Sequence, residues 1–296
     1  MMRIRVEHDT FYKYFQPVEL AHHLAYLHPF NNSWQQVLHA RLEIDPSPDF
    51  QVINLDAFDN MRMFFNFVKP HQWLTVKAHC DVNVKPRYMS FDYSDTPAWE
   101  DVKYAMTYAL DQPYAMASEF VWSSPYVPWL RDLYDYALKS FTQNRPIGEA
   151  LIELNQRIFR DFVYSPQTTE IQTPLDQIFN QKRGVCQDFS HIMVGCLRAI
   201  GLPAKYVSGY LLTKPPEGQL KMRGADASHA WVSAYCPGAA GGWLELDPTN
   251  QTIADEGYVR LAYGRDFGDV SPLRGVIRGG GSHTLNIEVT AEEVGK

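Results

Sequence analysis

Cysteine is scarce. Cys80, Cys186, Cys196 and Cys236 are the four in 296 residues, and no two are spaced as CxxC. That excludes a disulfide-stapled scaffold and leads us to expect a reducing, cytoplasmic setting. Basic residues are in deficit, 27 Lys+Arg against 34 Asp+Glu for a net charge of −7. A nucleic-acid partner needs a positive face to displace counterions, so none is expected. An anionic membrane surface is disfavoured for the same reason. No run of about 18 uninterrupted apolar residues is present, so no transmembrane helix is expected. The start, Met1 to Asp9, reaches charge at once and has no apolar signal core. HExxH, P-loop and GxGxxG patterns are missing, which removes support for zinc proteolysis and nucleotide binding. His22, His23 and His28 do not replace them, because adjacent strand residues point to opposite faces. No metal and no cofactor are expected.

Apolar and aromatic residues are plentiful, 45% and 14% of the chain, enough for a substantial core. Residues 1–90 read as a β-rich domain. Strand-like runs at Arg3–Tyr14, Val18–Phe30, Gln35–Ile44, Arg62–Val68 and Trp73–Val84 are punctuated by turn signals such as Phe15-Gln16-Pro17 and Asp45-Pro46. Their spacing suggests a small antiparallel sandwich or barrel. Residues 91–296 change to helical spacing. Helices are expected from Trp129 to Phe141 and from Pro146 to Phe162. Another begins at Thr173-Pro174-Leu175-Asp176, with Thr173 as cap and Asp176 reaching back. From Phe189, apolar residues recur at Ile192, Met193, Cys196, Leu197 and Ile200, one stripe of a helix opening at Cys186. Gly201 and Pro203 stop it. Strands follow at Ala204–Leu212, His229–Tyr235 and Trp243–Leu246, and a last one at Thr284–Val289 after Gly279-Gly280-Gly281. Segregated strands and helices give an α+β class.

Three residues invite a chemical reading. Cys186 starts a helix, where free N–H groups and the positive dipole end favour a thiolate and could bind an oxyanion. His229 enters a strand within Asp226-Ala227-Ser228-His229-Ala230-Trp231. Asp247 leaves the next strand, held at its edge by Pro248. A hairpin through Pro237–Gly242 would bring the last two together on one face. Glu245, two residues earlier, is a rival for the same role. Alone, each residue has a plain structural explanation: a buried thiol, a histidine satisfied by backbone, a turn aspartate. Together they make a Cys-His-Asp layout.

Arg183-Gly184-Val185-Cys186-Gln187-Asp188-Phe189-Ser190-His191 and Leu202-Pro203-Ala204 through Gly209-Tyr210 resemble the core of the bacterial transglutaminase-like superfamily. So do Asp226 to Val232 and Asp247-Pro248-Thr249-Asn250. His8 to Tyr14 resembles that family's N-terminal β domain, and the stretch from Gly264 to Gly275 fits as well. The resemblance spans nearly the whole chain. It implies a papain-like fold with Cys186 as nucleophile, His229 as base and acid, and Asp247 as orienter. Tyr164 matches a recurrent aromatic, with a substrate-groove or core-packing role. The tryptophan that eukaryotic transglutaminases use upstream of the nucleophile has no counterpart near Phe159, Phe162 and Tyr164, which weakens a crosslinking reading. The expected activity is hydrolysis of an amide, peptide or γ-glutamyl/isopeptide bond. Acyl transfer to an amine is the alternative, and a non-catalytic binding module is the alternative of another kind. The oligomeric state is open.

Overall fold

The computed structural model describes residues 1–108, 110, 115–166, 168–213, 224 and 226–295. Its first sheet is built on one long strand, β1 (Met2–Ala25), which turns Ile4, Val6, His8 and Thr10 inward at every second position. Gln35–Asp45 (β2), Phe50–Leu55 (β3), Met61–Phe67 (β4) and His71–Val84 (β5) complete the antiparallel order β2-β5-β1-β4-β3. The turn expected at Phe15-Gln16-Pro17 is a break in register, not an end. β1 pairs with β5 up to Lys13, resumes at Val18, and pairs with β4 from Ala21. Pro17 cannot donate to a ladder, so the irregularity falls beside it. β3 lies outside the expected strands. It is an edge strand exposed along its whole length, so it lacks the alternation that marks a half-buried strand. His22 stacks on Phe64 and His23 on Phe65.

The core begins with two helical segments the sequence did not signal, α1 (Trp99–Ala105) and a 3₁₀ turn over Met116–Val121. Helices α2 (Arg131–Leu138) and α3 (Ile147–Asp161) follow, then the two-residue strand β6 (Val163–Tyr164). Next come α4 (Leu175–Gln181), strand β7 (Arg183–Gly184), which pairs parallel with β6, and α5 (Cys186–Ala199). The expected cap on α4 does not form. Pro174 takes the N-cap place, while the Thr173 hydroxyl accepts from the Glu170 N–H at 2.9 Å and closes the preceding turn instead. In α5, Ile192, Met193, Val194, Cys196 and Leu197 are fully buried. The helix ends before Gly201, whose φ of +89° suits glycine.

The second sheet has the order β11-β10-β9-β8-β12. Its strands are β8 (Ala204–Leu211), β9 (Ser228–Tyr235), β10 (Trp243–Asp247), β11 (Thr252–Ile253) and β12 (Tyr258–Gly264). Ala204, Val232, Ala234, Leu244 and Leu246 join the helices in one core cluster. Residues of the opposite parity, Gly209, His229, Trp231, Glu245 and Asp247, therefore share the other face. After the short α6 (Phe267–Val270) the chain returns to the first sheet. β13 (Leu273–Gly279) pairs with Val18–Ala25, and β14 (His283–Glu293) pairs with Ile4–Tyr14. A division at residue 90 therefore leaves out this return, which closes the far edge of β1. The hairpin between them turns on Gly279, Gly280 and Gly281, all at positive φ. The two sheets meet directly: Tyr210, Val259 and Leu261 pack in the same cluster as Ile4, Val6 and Val82, and His8 Nδ1 lies 2.9 Å from the Tyr210 hydroxyl.

Candidate active site

Cys186 is the first residue of α5. The approach is fixed by two devices. β6 and β7 pair so that Tyr164 lies opposite Gly184, with the Ser165 N–H bonding the Gly184 carbonyl at 2.8 Å. The Asp188 carboxylate then reaches back to the Val185 N–H at 2.8 Å and accepts from the Thr169 hydroxyl at 2.7 Å. Gly184 is needed there, because a Cβ would come within 2.7 Å of the Asp188 Cβ. Burial raises the Asp188 carboxyl against the lowering effect of these bonds. The Cys186 side chain is only partly buried and packs against the cluster of Tyr26, Tyr206, Ala230 and Val270. The other three thiols are buried, and burial pushes each up to about 12. They are inert by comparison.

His229 and Asp247 meet as the hairpin reading requires. Strands β9 and β10 pair Val232 with Leu246, and the Cys236–Gly242 link closes the turn through glycines at positive φ. His229 Nε2 lies 2.7 Å from Asp247 Oδ2. Cys186 is a neighbour of the same ring, close enough to act on its charge. Since Nε2 is committed to Asp247, Nδ1 is the nitrogen left for sulfur. Burial alone would push the His229 imidazole down, but the bonds to Asp247 and Cys186 outweigh it and carry it up to about 10. Asp247 is fully buried, and burial would raise it. Its bonds to His229, Asn250 and Tyr258 hold it below the ordinary carboxylate range instead. The buried Asp247 carboxylate thus favours the protonated form of the imidazole.

Tyr164 is about half exposed near Cys186, its phenol raised by burial and, less, by that neighbour. Glu245, the rival orienter, is taken elsewhere. It accepts from Arg87 Nη1 at 2.6 Å, Trp231 Nε1 at 2.8 Å, Arg260 Nε at 2.9 Å and the Tyr263 hydroxyl at 3.0 Å. Burial would raise this carboxyl, yet the two guanidinium groups bring it down to about 2. Through Trp231 it still serves the site, because that indole stacks on the His229 ring with centroids 6.1 Å apart. Gly209, opposite His229, makes room for the indole: a Cβ there would approach it to 2.6 Å.

Asn250 and Tyr258 are contributors that the sequence reading passed over. Asn250 Nδ2 bonds Asp247 Oδ2 at 2.7 Å, and the Tyr258 hydroxyl bonds the same oxygen at 2.8 Å. Asn250 was within the quoted Asp247-Pro248-Thr249-Asn250 motif, so a side chain three residues on could have been suspected. Tyr258 sits on another strand and gave no signal.

Residues 4–83 match the bacterial transglutaminase-like N-terminal region, and residues 135–248 match the transglutaminase-like superfamily. An uncharacterized protein of Mycobacterium tuberculosis is 39% identical over 93% of this chain and 87% of its own length. Another, from Mycobacterium leprae, is 30% identical over 98% of each. A protein-glutamine gamma-glutamyltransferase of Pseudomonas aeruginosa is 32% identical over 43% of this chain, but over only 19% of its own length. Among solved structures, a candidate cysteine protease from Cytophaga hutchinsonii superposes with a TM-score of 0.76. The match covers 100% of this chain and 91% of that one at 18% identity, a likeness of fold.

Proposed function

Since the chain belongs to the transglutaminase-like superfamily, we propose that it is a cysteine-nucleophile hydrolase of amide bonds acting through Cys186, His229 and Asp247. The observation that carries this reading is the imidazole of His229, held by Asp247 at 2.7 Å on one nitrogen, while Cys186 packs against the cluster that holds the adjacent Ala230. Sulfur attacks the carbonyl carbon of a peptide, γ-glutamyl or isopeptide bond, and the electron pair moves to oxygen. The free N–H groups at the start of α5 offer that oxyanion its donors. His229 passes its proton to the leaving amine as the C–N bond breaks, which leaves a thioester on Cys186. Water, deprotonated by the same imidazole, then releases the acid and restores the thiol. Asp247 keeps the ring in one tautomer and stabilises its charged form. Tyr164 lines the acyl groove at its open edge.

Hydrolysis is preferred to transfer because Cys186 is partly open to solvent, so water reaches the thioester without a dedicated amine subsite. Acyl transfer to an amine is the second reading, favoured by the Pseudomonas aeruginosa gamma-glutamyltransferase among the relatives. The deciding experiment is product partition from peptide, γ-glutamyl and isopeptide donors, in water with and without a primary amine, for the wild type and Cys186→Ala. Free acid as the main product, lost in Cys186→Ala, is expected. Amide product that overtakes acid at millimolar amine would make the protein a transferase. No turnover, with Cys186 alkylating no faster than a free thiol, would make it a binding module.

A further inference from the structure

The Asp247 carboxylate receives more donors than an orienting role requires. Oδ1 accepts the backbone N–H groups of Thr249 at 2.9 Å and Asn250 at 3.2 Å. Oδ2 accepts His229 at 2.7 Å, Asn250 Nδ2 at 2.7 Å and the Tyr258 hydroxyl at 2.8 Å. The hydroxyl of Tyr258 is itself 2.8 Å from the Thr252 hydroxyl. A carboxylate can only accept, so the single phenolic proton is committed to Asp247, and Thr252 must donate to the Tyr258 oxygen. A donor behind a donor polarises the second bond and strengthens it. Tyr258 is 6% exposed, and its ring packs edge-on to Trp231 with centroids 5.2 Å apart, so the hydroxyl is held in place.

We propose that Tyr258, backed by Thr252, is a positioning residue that sets the acid strength of His229 by drawing negative charge away from the Asp247 oxygen the imidazole shares. This rests on the reading of Cys186, His229 and Asp247 as a working set. The reasoning is electrostatic. An undiluted carboxylate would bind the imidazolium more tightly and make it a poorer acid toward the leaving amine. Each added donor on Oδ2 lowers that grip. Tyr258 touches neither sulfur nor substrate; it acts through Asp247. Among the described residues, the other charged or titratable groups near the ring are Cys186 with Tyr164, Tyr206 and Asp188 on the helix side, and Glu245 with Arg87 and Arg260 on the sheet side. None of these gains or loses a bond when the Tyr258 hydroxyl is removed, except through Asp247 itself.

The test is the pH dependence of Cys186 alkylation by iodoacetamide, with no substrate needed, in the wild type, Tyr258→Phe, Thr252→Val and a control, Tyr235→Phe. Tyr235 lies on the same sheet, with its ring on Trp243. Wild type should show an ion-pair plateau bounded by an acid and an alkaline limb. Tyr258→Phe should move the alkaline limb up by about one pH unit, the scale of one charge-assisted hydrogen bond. The acid limb, where the thiol ionises beside an already charged ring, should move little. Thr252→Val should shift the alkaline limb in the same direction by less, and Tyr235→Phe should leave it in place. Amide turnover in Tyr258→Phe should fall several-fold in kcat with KM kept. An alkaline limb that stays put or moves down in Tyr258→Phe overturns the inference alone. A wild type without a plateau overturns it together with the proposed nucleophile.

Discussion

Glu245→Gln is the substitution whose cost can be worked out most fully. In the native protein one carboxylate faces two guanidinium groups, with Arg87 at 2.6 Å and Arg260 at 2.9 Å, and all three side chains are almost wholly buried. Glutamine keeps the shape and one oxygen. It removes the negative charge that faces both guanidinium groups and points an N–H₂ group at donors. Breaking a buried pair from one side costs about 3–5 kcal/mol, because an uncompensated charge is left inside. The carboxyl itself gives a second figure. It is brought from an ordinary 4.5 to about 2, and at about 1.4 kcal/mol per pH unit that amounts to about 3 kcal/mol near neutrality. The two routes agree. The sign on pH follows from the lowered value: this stability is present above 4.5 and is lost as pH falls toward 2. Urea unfolding at pH 7 should therefore place Glu245→Gln about 3 kcal/mol below wild type. The gap should narrow steadily between pH 4.5 and pH 2. A gap of the same size at both ends of that range would refute the charge-based account and leave packing as the cause.

Two further substitutions follow from the geometry around the histidine. Gly209→Ala puts a Cβ within 2.6 Å of the Trp231 ring and closer still to the Val259 carbonyl oxygen. Overpacking of that kind costs about 1–3 kcal/mol, with the Trp231 emission altered, as thermal unfolding and fluorescence would record. Asp226→Ala removes the acceptor of the Ala291 N–H at 2.8 Å, which ties the entry to the His229 strand onto β14. A loss of about 1–3 kcal/mol is expected, with faster amide exchange at Ala291.

Legibility in the sequence followed the range over which each signal acts. The helix at Cys186 was readable from six apolar residues on one helical stripe, Phe189 to Ile200, and a Gly-x-Pro stop. The pairing of His229 with Asp247 was readable because strand parity and a glycine-rich turn fix which side chains share a face. Edge strand β3 was not, since with no buried side its residues carry no period. Helix α1 is about two turns long, too brief for a stripe to emerge. The cap at Thr173 failed because a second partner, the Glu170 N–H, competed for the same hydroxyl. Tyr258 was hidden for a different reason: its bond to Asp247 depends on where β12 starts, a product of the tertiary fold alone.

The return of the chain to its first sheet bears on the site more than any single bond does. β14 covers the open edge of β1, and from β14 the Val289 carbonyl and the Ala291 N–H hold Asp226, three residues before His229. On the other side, Tyr26 at the end of β1 packs with Tyr206 and Ala230 beside Cys186. Gln35 bonds both backbone groups of Arg260, at 2.8 and 2.9 Å, and so fixes the strand that also carries Tyr258. The β-rich sheet therefore supports the sulfur, the imidazole and the carboxylate's clamp from three separate contacts. A core cut away from it would lose the cluster in which Tyr210, Val259 and Leu261 pack against Ile4, Val6 and Val82, and would leave the site's parts individually present but unheld.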